Sequence, residues 1–324
     1  MPTSTHASAS GDAREPSRSP AGGAASALLV DEDSRPLAAG AAVVGRSEWR
    51  RSWRRFQRFK PGIAGLCFVG LLVLLALFAP LVSPHSPTEV ETRLRGASPS
   101  AEYPLGNDSI GRDVLSRLIH GTRVALIVGI GAMAIALTIG VSIGATAGFF
   151  GGKIDMALSR VIDTLMAFPT LALLITLNAL LGGNLLTVVL IIGTTVWASY
   201  ARVSRAEVLS LREREYVVAA RSIGVPNRRI ITRHVLPNIV GPLIVIASLD
   251  IGSIIILESA LSFLGLGVKP PTPSWGGMLA DGRAFIRTYP HIAIFPGIVI
   301  TLTVLAFNLL GDGLRDALDP RQKE

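Results

Sequence analysis

The chain is poor in charge. Of its 324 residues only 17% are Asp, Glu, Lys or Arg, while 49% are hydrophobic and the mean hydropathy is +0.50. A soluble domain devotes about a quarter of its residues to charge, so an ordinary water-soluble fold is excluded. Cysteine is nearly missing: Cys67 stands alone, inside an apolar block, which excludes an intrachain disulfide and leaves a packing or lipid-facing role. Histidine is sparse, and His120, His234 and His291 lack the spacing of metal ligands, so no metal site is expected. A phosphate-binding loop is also lacking. The nearest approach, GFFGGK ending at Lys153, has Ala147 where the loop requires Gly and Ile154 where it requires Ser or Thr, so the chain is not expected to bind ATP in that way. Neither a Gly-x-Ser-x-Gly elbow nor a metal-binding helix motif occurs, which counts against an intramembrane hydrolase.

What the sequence does contain is apolar blocks of roughly 20 residues, the length that crosses ~30 Å of hydrocarbon at 1.5 Å per residue. The fold class is therefore an all-α membrane protein, and six transmembrane helices are expected. Residues 1–45, rich in Ala, Ser, Gly and Pro without apolar period, read as a disordered tail. They are not expected to be a secretory signal, because the apolar run begins only near Gly62. Residues 46–61 read as an amphipathic helix on the inner leaflet: seven Arg or Lys oppose one Glu between Arg46 and Lys60, with Trp49, Trp53, Phe56 and Phe59 at helical spacing. The charge-free first span, Ile63 to Val82, follows, and the positive-inside rule puts the N-terminus in the cytoplasm.

The first span and a polar external loop occupy 62–123, ending in a short helix from Arg112 to Arg123. A core of five further spans occupies 124–310: about Val124 to Phe150, Thr164 to Leu181, Leu185 to Ala201, Ile239 to Leu266 and Ile292 to Leu310. Gly140, Gly144, Gly148 and Gly152 recur every four residues in the second span, a flat stripe for close helix packing. Asp155 and Asp163 beside Arg160 are read as charge balance on an inner loop. The tail 311–324 returns to the cytoplasm. The net charge of +8 does not point to nucleic acid, because the arginines flank apolar spans as in cytoplasmic loops.

One cytoplasmic loop stands out, residues 202–238. Eight arginines and three glutamates lie between Arg202 and Arg233, and EYVVAARSIGVPNRRIITRHVLPN runs from Glu215 to Asn238. Tyr216, Ala220 and Ile223 share a helical face, and Gly224 followed by Pro226 stops and restarts the helix. Two short helices joined by a kink, with small side chains ringed by Arg, suit a docking surface. A solvated loop is the alternative.

Three stretches resemble one family. Val218, Ala219, Ala220, then Gly224, then Leu236 and Pro237 after eleven residues are similar to the EAA loop of ABC importer permeases, with Val218 in place of the usual Glu. LGNDSIGRDVLSRLIHGTR (Leu105 to Arg123), with Asn107 for the usual Thr, and LESALSFLGLGVKPPTPSWGG (Leu257 to Gly277) resemble signatures of the second permease subunit of dipeptide, oligopeptide and nickel importers; FNLLGDGLRDALDPR (Phe307 to Arg321) extends the match. The resemblance implies the MetI-like permease fold of type I ABC importers in a bacterial plasma (inner) membrane. It implies a homologous second permease, two ABC ATPase subunits that bind ATP and Mg, an external solute-binding protein, and no cofactor in this chain. It further implies that Glu215, Ala219, Ala220, Gly224, Leu236 and Pro237 couple the chain to the ATPases. Short peptides are the expected solute, with nickel, glutathione or sugars as alternatives within the family.

Several residues carry two readings. Asp250 and Glu258 lie in the fifth span, about 12 and 24 Å from Pro242 by helical rise, and are candidates for the translocation path or for hydrogen bonding within the bundle. Their separation, about 80° around the helix and about 12 Å along it, is poor geometry for a catalytic pair. Asp108, Arg112 and Asp113 form either an external gate that meets the binding protein or a helix cap. Pro270, Pro271, Pro273 and Trp275 read as a stiff outer loop with an interfacial aromatic; Asn178 and Asn184 read as packing or turn residues. An ion-coupled secondary transporter, the rival from another class, would favour an internal repeat. None is found, which leaves Asp250 as its support.

Overall fold

The computed structural model describes residues 52–318, and its elements are helical. The expected tail 1–45, the first residues of the amphipathic helix with Trp49, and the end of the C-terminal tail beyond Leu318 lie outside the described residues. Among the described residues five helices are long and apolar enough to cross a membrane: α2 (Lys60–Leu77), α4 (Val114–Phe150), α7 (Leu185–Arg212), the run Asn227–Phe263 that ends in α10 (Leu236–Phe263), and α12 (His291–Leu318). One further stretch is long and apolar enough only as a bent pair of helices. The stretch expected as one helix from Thr164 to Leu181 belongs instead to α5 (Gly152–Met166) and α6 (Thr170–Leu181), bent by 81° around the Ala-Phe-Pro break. Pro169 explains the break, since the residue before a proline is driven out of helical geometry. The 12 residues of α6 reach only about 18 Å, short of the ~30 Å of hydrocarbon, and α5, bent away from it, carries Lys153, Asp155, Arg160 and Asp163.

The second span also differs from its expected bounds. Arg112 to Arg123 is not a separate external helix; α4 runs without interruption for 37 residues from Val114. Asp113 caps it, accepting hydrogen bonds from the Leu115 and Ser116 amides. The helix is about 55 Å long by its rise, so its first turns stand above the hydrocarbon.

The glycine stripe on α4 packs against α7 of the same chain. A Cβ on Gly140 would lie 2.7 Å from the Trp197 carbonyl oxygen, one on Gly144 would strike the Ala201 carbonyl, and one on Gly148 would lie 2.8 Å from the Arg205 carbonyl. Glycine every four residues thus meets carbonyls every four residues, so the two backbones touch along three turns. Gly152 does not continue the stripe; it opens α5 with a positive φ and empty space around it. Val128, Ala132, Ala136, Val188, Ile192 and Ala201 fill the same seam as a dry core.

Around this pair, α10 packs on α12, and α2 leans on α12 through Gly62 and Gly65. The far face of α2 (Leu71, Leu74, Leu77) is exposed, as a lipid-facing helix requires. At the inner end, α1 (residues 52–58) stacks Trp53 on Phe56 with ring centroids 5.7 Å apart, and Phe56 is buried against Gly313. The amphipathic helix is therefore pinned to α12 by Phe56 while Trp53 stays half exposed.

Gly144→Ala is expected to destabilise the purified protein by about 1–3 kcal/mol through forced separation of α4 and α7. Gly70→Ala, in open space on α2, leaves the unfolding temperature unchanged or raises it. Thermal unfolding in detergent compares the two; equal values would remove the close-packing role assigned to the stripe.

Candidate functional site

Three places gather the residues singled out in the sequence. The first is the inner loop. After α7, α8 (Glu215–Ser222) turns away, and it ends where Gly224 adopts φ +78. The Val225 amide donates to the Ala220 carbonyl (3.1 Å) and the Gly224 amide to the Arg221 carbonyl (3.0 Å), the paired bonds of a Schellman cap. Only a residue tolerant of left-handed backbone closes this cap without strain, which gives Gly224 its physical reason. Pro226 then starts α9 (Asn227–Ile230), a π-helical turn spans Ile231–Val235, and α10 begins at Leu236 with Pro237 in its first turn.

The faces of α8 differ from the expected arrangement. Ala220 does not share an outward face with Tyr216 and Ile223; it is buried, as is Val217, in a cluster with Ala145, Phe149, Val208, Ile230 and Ile239. Glu215, Tyr216, Val218, Ala219 and Ile223 face outward, Ile223 with 81% of its surface free. A short helix that exposes Tyr, Val and Ile beside arginines is an unpartnered apolar face of the type that marks an interaction site. The arginines fix the loop to the spans. Arg205 forms a bidentate pair with Asp155, Arg202 bonds Asp163 at 2.8 Å, Arg212 donates to the Gly148 carbonyl at 3.1 Å, and Arg221 lies over the Phe149 ring. Asp155 and Asp163 thus balance the charge of α7. The Gly148–Gly151 segment is the end of α4, with the Gly151 amide donating to the Ala147 carbonyl.

The second place is a groove of about 450 Å³ between α7 and α10, with Thr170 of α6 at its rim. Tyr200 donates its hydroxyl to Asp250 Oδ2 at 2.9 Å, and Ser199, Ser253, Val196 and Leu257 line the walls. Asp250 stands midway along α10, 14 residues from Leu236 and 13 from Phe263. Glu258 does not join it. With 1% of its surface exposed it accepts a bond from Ser262 Oγ at 2.6 Å, and Ser262 Oγ in turn takes the Val268 amide at 3.3 Å. Glu258 therefore secures the turn after α10, and only Asp250 of the two candidates reaches the groove. Asn178, buried, donates to the Leu174 carbonyl, and Asn184 caps α7 through the Thr187 amide.

The third place is the end of the bundle at which α4 begins. Asp108 accepts from the Ile110 and Arg112 amides through Oδ1 and from Arg112 Nε through Oδ2 (2.6 Å), while the Arg112 and Arg117 guanidinium groups both reach Asp281 on α11 (Trp275–Arg283). Sequence reading missed Arg117 and Asp281, whose partners lie more than 160 residues away in the chain. Asp113 is spent on the α4 cap and lies 3.5 Å from His85. Trp275 is not an interfacial anchor: it is buried, its indole donates to the Leu118 carbonyl at 3.0 Å, and it lies against Gly121. Two carboxylates and two guanidinium groups thereby clamp the loop before α4 to α11.

The described residues form a bundle of membrane-length helices with a short exposed helix in one loop and a groove between α7 and α10. Residues 137–324 match the binding-protein-dependent transport system inner membrane component family, and residues 47–99 match the N-terminal TM domain of oligopeptide transport permease C. The chain belongs to that family of transport components, the permease subunits of ABC importers. It is 43% identical over 277 residues to the dipeptide transport system permease protein of Alkalihalophilus pseudofirmus, covering 86% of this chain and 91% of that protein. The oligopeptide transport system permease protein of Haemophilus influenzae is 41% identical over 281 residues (86% of this chain, 90% of that protein). A glutathione transport system permease protein from Pectobacterium atrosepticum is 42% identical over 279 residues (86% and 93%).

Asp113→Ala removes the cap of α4 and is expected to lower stability by about 1 kcal/mol. Asp281→Ala, which leaves Arg112 its bond to Asp108, is expected to cost less. Denaturation midpoints of the two purified variants check the order; a larger loss from Asp281→Ala would make the clamp, rather than the cap, the main tie at that end of the bundle.

Proposed function

We propose that this chain is the second of two homologous permease subunits in an ATP-driven importer and forms half of the path for short peptides handed over by an external binding protein. The outward face of α8 carries the reading. A membrane-embedded subunit with no phosphate loop of its own requires an energy source, and α8 offers Tyr216, Val218, Ala219 and Ile223 on a rigid, Schellman-capped helix to an ATPase subunit. The two ATPases hold ATP and Mg, and the chain itself supplies no catalytic group. Both termini face the cytoplasm in this arrangement, because the arginines before α2 and those between α7 and α10 share one side by the positive-inside rule.

The peptide assignment draws on the similarity to dipeptide and oligopeptide permeases. Nickel import by the same machinery would require a path able to exchange several metal ligands. Among the described residues no group of three or more His, Cys, Asp or Glu assembles, so the peptide reading is favoured.

ATP binding closes the ATPase pair, α8 moves with it, and the permease pair opens outward, a two-state change biased by a ligand at one end. The outer clamp of Asp108, Arg112 and Asp281 lies where the binding protein docks.

Ile223→Asp places a charge on the outward face without touching the buried side of α8. The chain is expected to accumulate in the membrane at normal level while the ATPase subunits no longer co-purify and ATP-driven dipeptide uptake falls at least tenfold. Retention of both ATPases together with normal uptake would overturn the docking assignment. Ala220→Trp is expected to fail differently, by loss of folded protein, because its side chain enters the core of the loop.

A further inference from the structure

The groove between α7 and α10 presents one carboxylate. Over the 28 residues of α10 the sequence allows two carboxylates, and Glu258 is buried and held by Ser262. Asp250 is different: it is partly exposed to the groove, and Tyr200 engages Oδ2 alone. Among the described residues nothing donates to Oδ1. The rest of the lining consists of hydroxyls (Thr170, Ser199, Ser253) and aliphatic side chains, with no cation. Further along α7, Arg202 and Arg205 are paired with Asp163 and Asp155.

A carboxylate at such depth without a countercharge is costly, and structures retain one where a visiting charge completes it. The complementary visitor is a cation small enough for the groove and rich in donors. A primary ammonium fits: it has three N–H donors and no acceptor, so one can bond Asp250 Oδ1 while the others take the serine hydroxyls. A divalent metal fits poorly, since it needs several ligating side chains and the site offers one carboxylate.

We infer that Asp250, oriented by Tyr200, is a passing site for the ammonium group of the transported solute, and that this chain favours solutes with a free amino group over their neutral or anionic counterparts. The inference rests on the importer reading and adds to it a chemical preference that belongs to the permease rather than to the binding protein. A single charge pair in an open groove also suits a path, because a transported molecule must be held weakly enough to leave.

The test uses the complete importer in nanodiscs without the binding protein, so that any preference arises in the membrane subunits. The probes are trialanine with a photoreactive diazirine at its second side chain and the same peptide acetylated at its amino terminus. Crosslinks to α7 and α10 are mapped by mass spectrometry. The free-amino probe is expected to label wild type about tenfold more than the acetylated one, the effect of one removed charge partner. Asp250→Asn should bring both probes to the acetylated level, Asp250→Glu should restore the preference, and Tyr200→Phe should reduce it.

Rescue by Glu shows that the site survives substitution; co-purification of the other subunits with each variant reports assembly. A preference that persists in Asp250→Asn, equal labelling of wild type by both probes, or displacement of the free-amino probe by Ni²⁺ at lower concentration than by unlabelled trialanine would each overturn the inference. ATP-driven uptake by wild-type vesicles with binding protein present is measured alongside. Its absence would overturn the importer reading itself and with it this inference, whereas normal uptake with any of those labelling results overturns the inference alone.

Discussion

The close approach of α4 and α7 is the constraint on which the other parts depend. In hydrocarbon, water gives no drive to bury one apolar helix against another, so association must come from contact that lipid cannot match. Gly140, Gly144 and Gly148 provide it by leaving room for the α7 carbonyls of Trp197, Ala201 and Arg205 where a Cβ would otherwise stand. With that seam fixed, Tyr200 is set at the groove and Arg205 and Arg212 are set over Asp155 and the end of α4. The groove and the inner loop thus share one rigid backbone, α7, and one further element, α10, which carries Asp250 and begins directly after the loop.

That sharing gives the molecule a direct mechanical route. The buried side of α8 (Val217, Ala220) packs on Val208 of α7 and on Ile230, Val235 and Ile239 at the entry to α10. The exposed side of α8 is thus backed by residues of α7 and of the entry to α10, the two elements that wall the groove. The outer clamp has the complementary effect at the other end, tying the α4 entrance to α11 through paired charges drawn from distant parts of the chain.

Much of this was legible in the sequence because membrane insertion imposes coarse rules. Apolar length and arginine placement gave the spans, and Gly224 with Pro226 gave the kink, since each depends on neighbours a few residues away. The glycine period was legible as a packing stripe, though its partner was not. What stayed hidden depended on contacts between distant segments. Ala220 and Tyr216 looked alike on a helical wheel, yet only the fold around Phe149 and Ile239 decides which of them is covered. Glu258 and Asp250 looked equivalent as intramembrane acids, and the difference lies in Ser262 and the turn it holds. Trp275 followed a proline-rich loop and read as an anchor, but Leu118 and Gly121 give it a buried seat. The break in α5–α6 carried a visible proline; the apolar residues on both sides obscured it.

The π-helical turn at Ile231–Val235 settles a problem of phase. The buried residues leading into the fifth span are Ile230, Val235, Ile239 and Leu243, spaced by five, four and four. At about 100° per residue a five-residue step in an ordinary α-helix would leave the two sides of the step roughly 140° out of line. The wider turn takes up the surplus residue, as π-bulges do, and brings all four side chains onto one stripe. The turn therefore keeps α10, and Asp250 with it, in phase with the residues that pack under α8 despite one surplus residue, and removing one residue from it would leave an ordinary four-residue step on the same stripe.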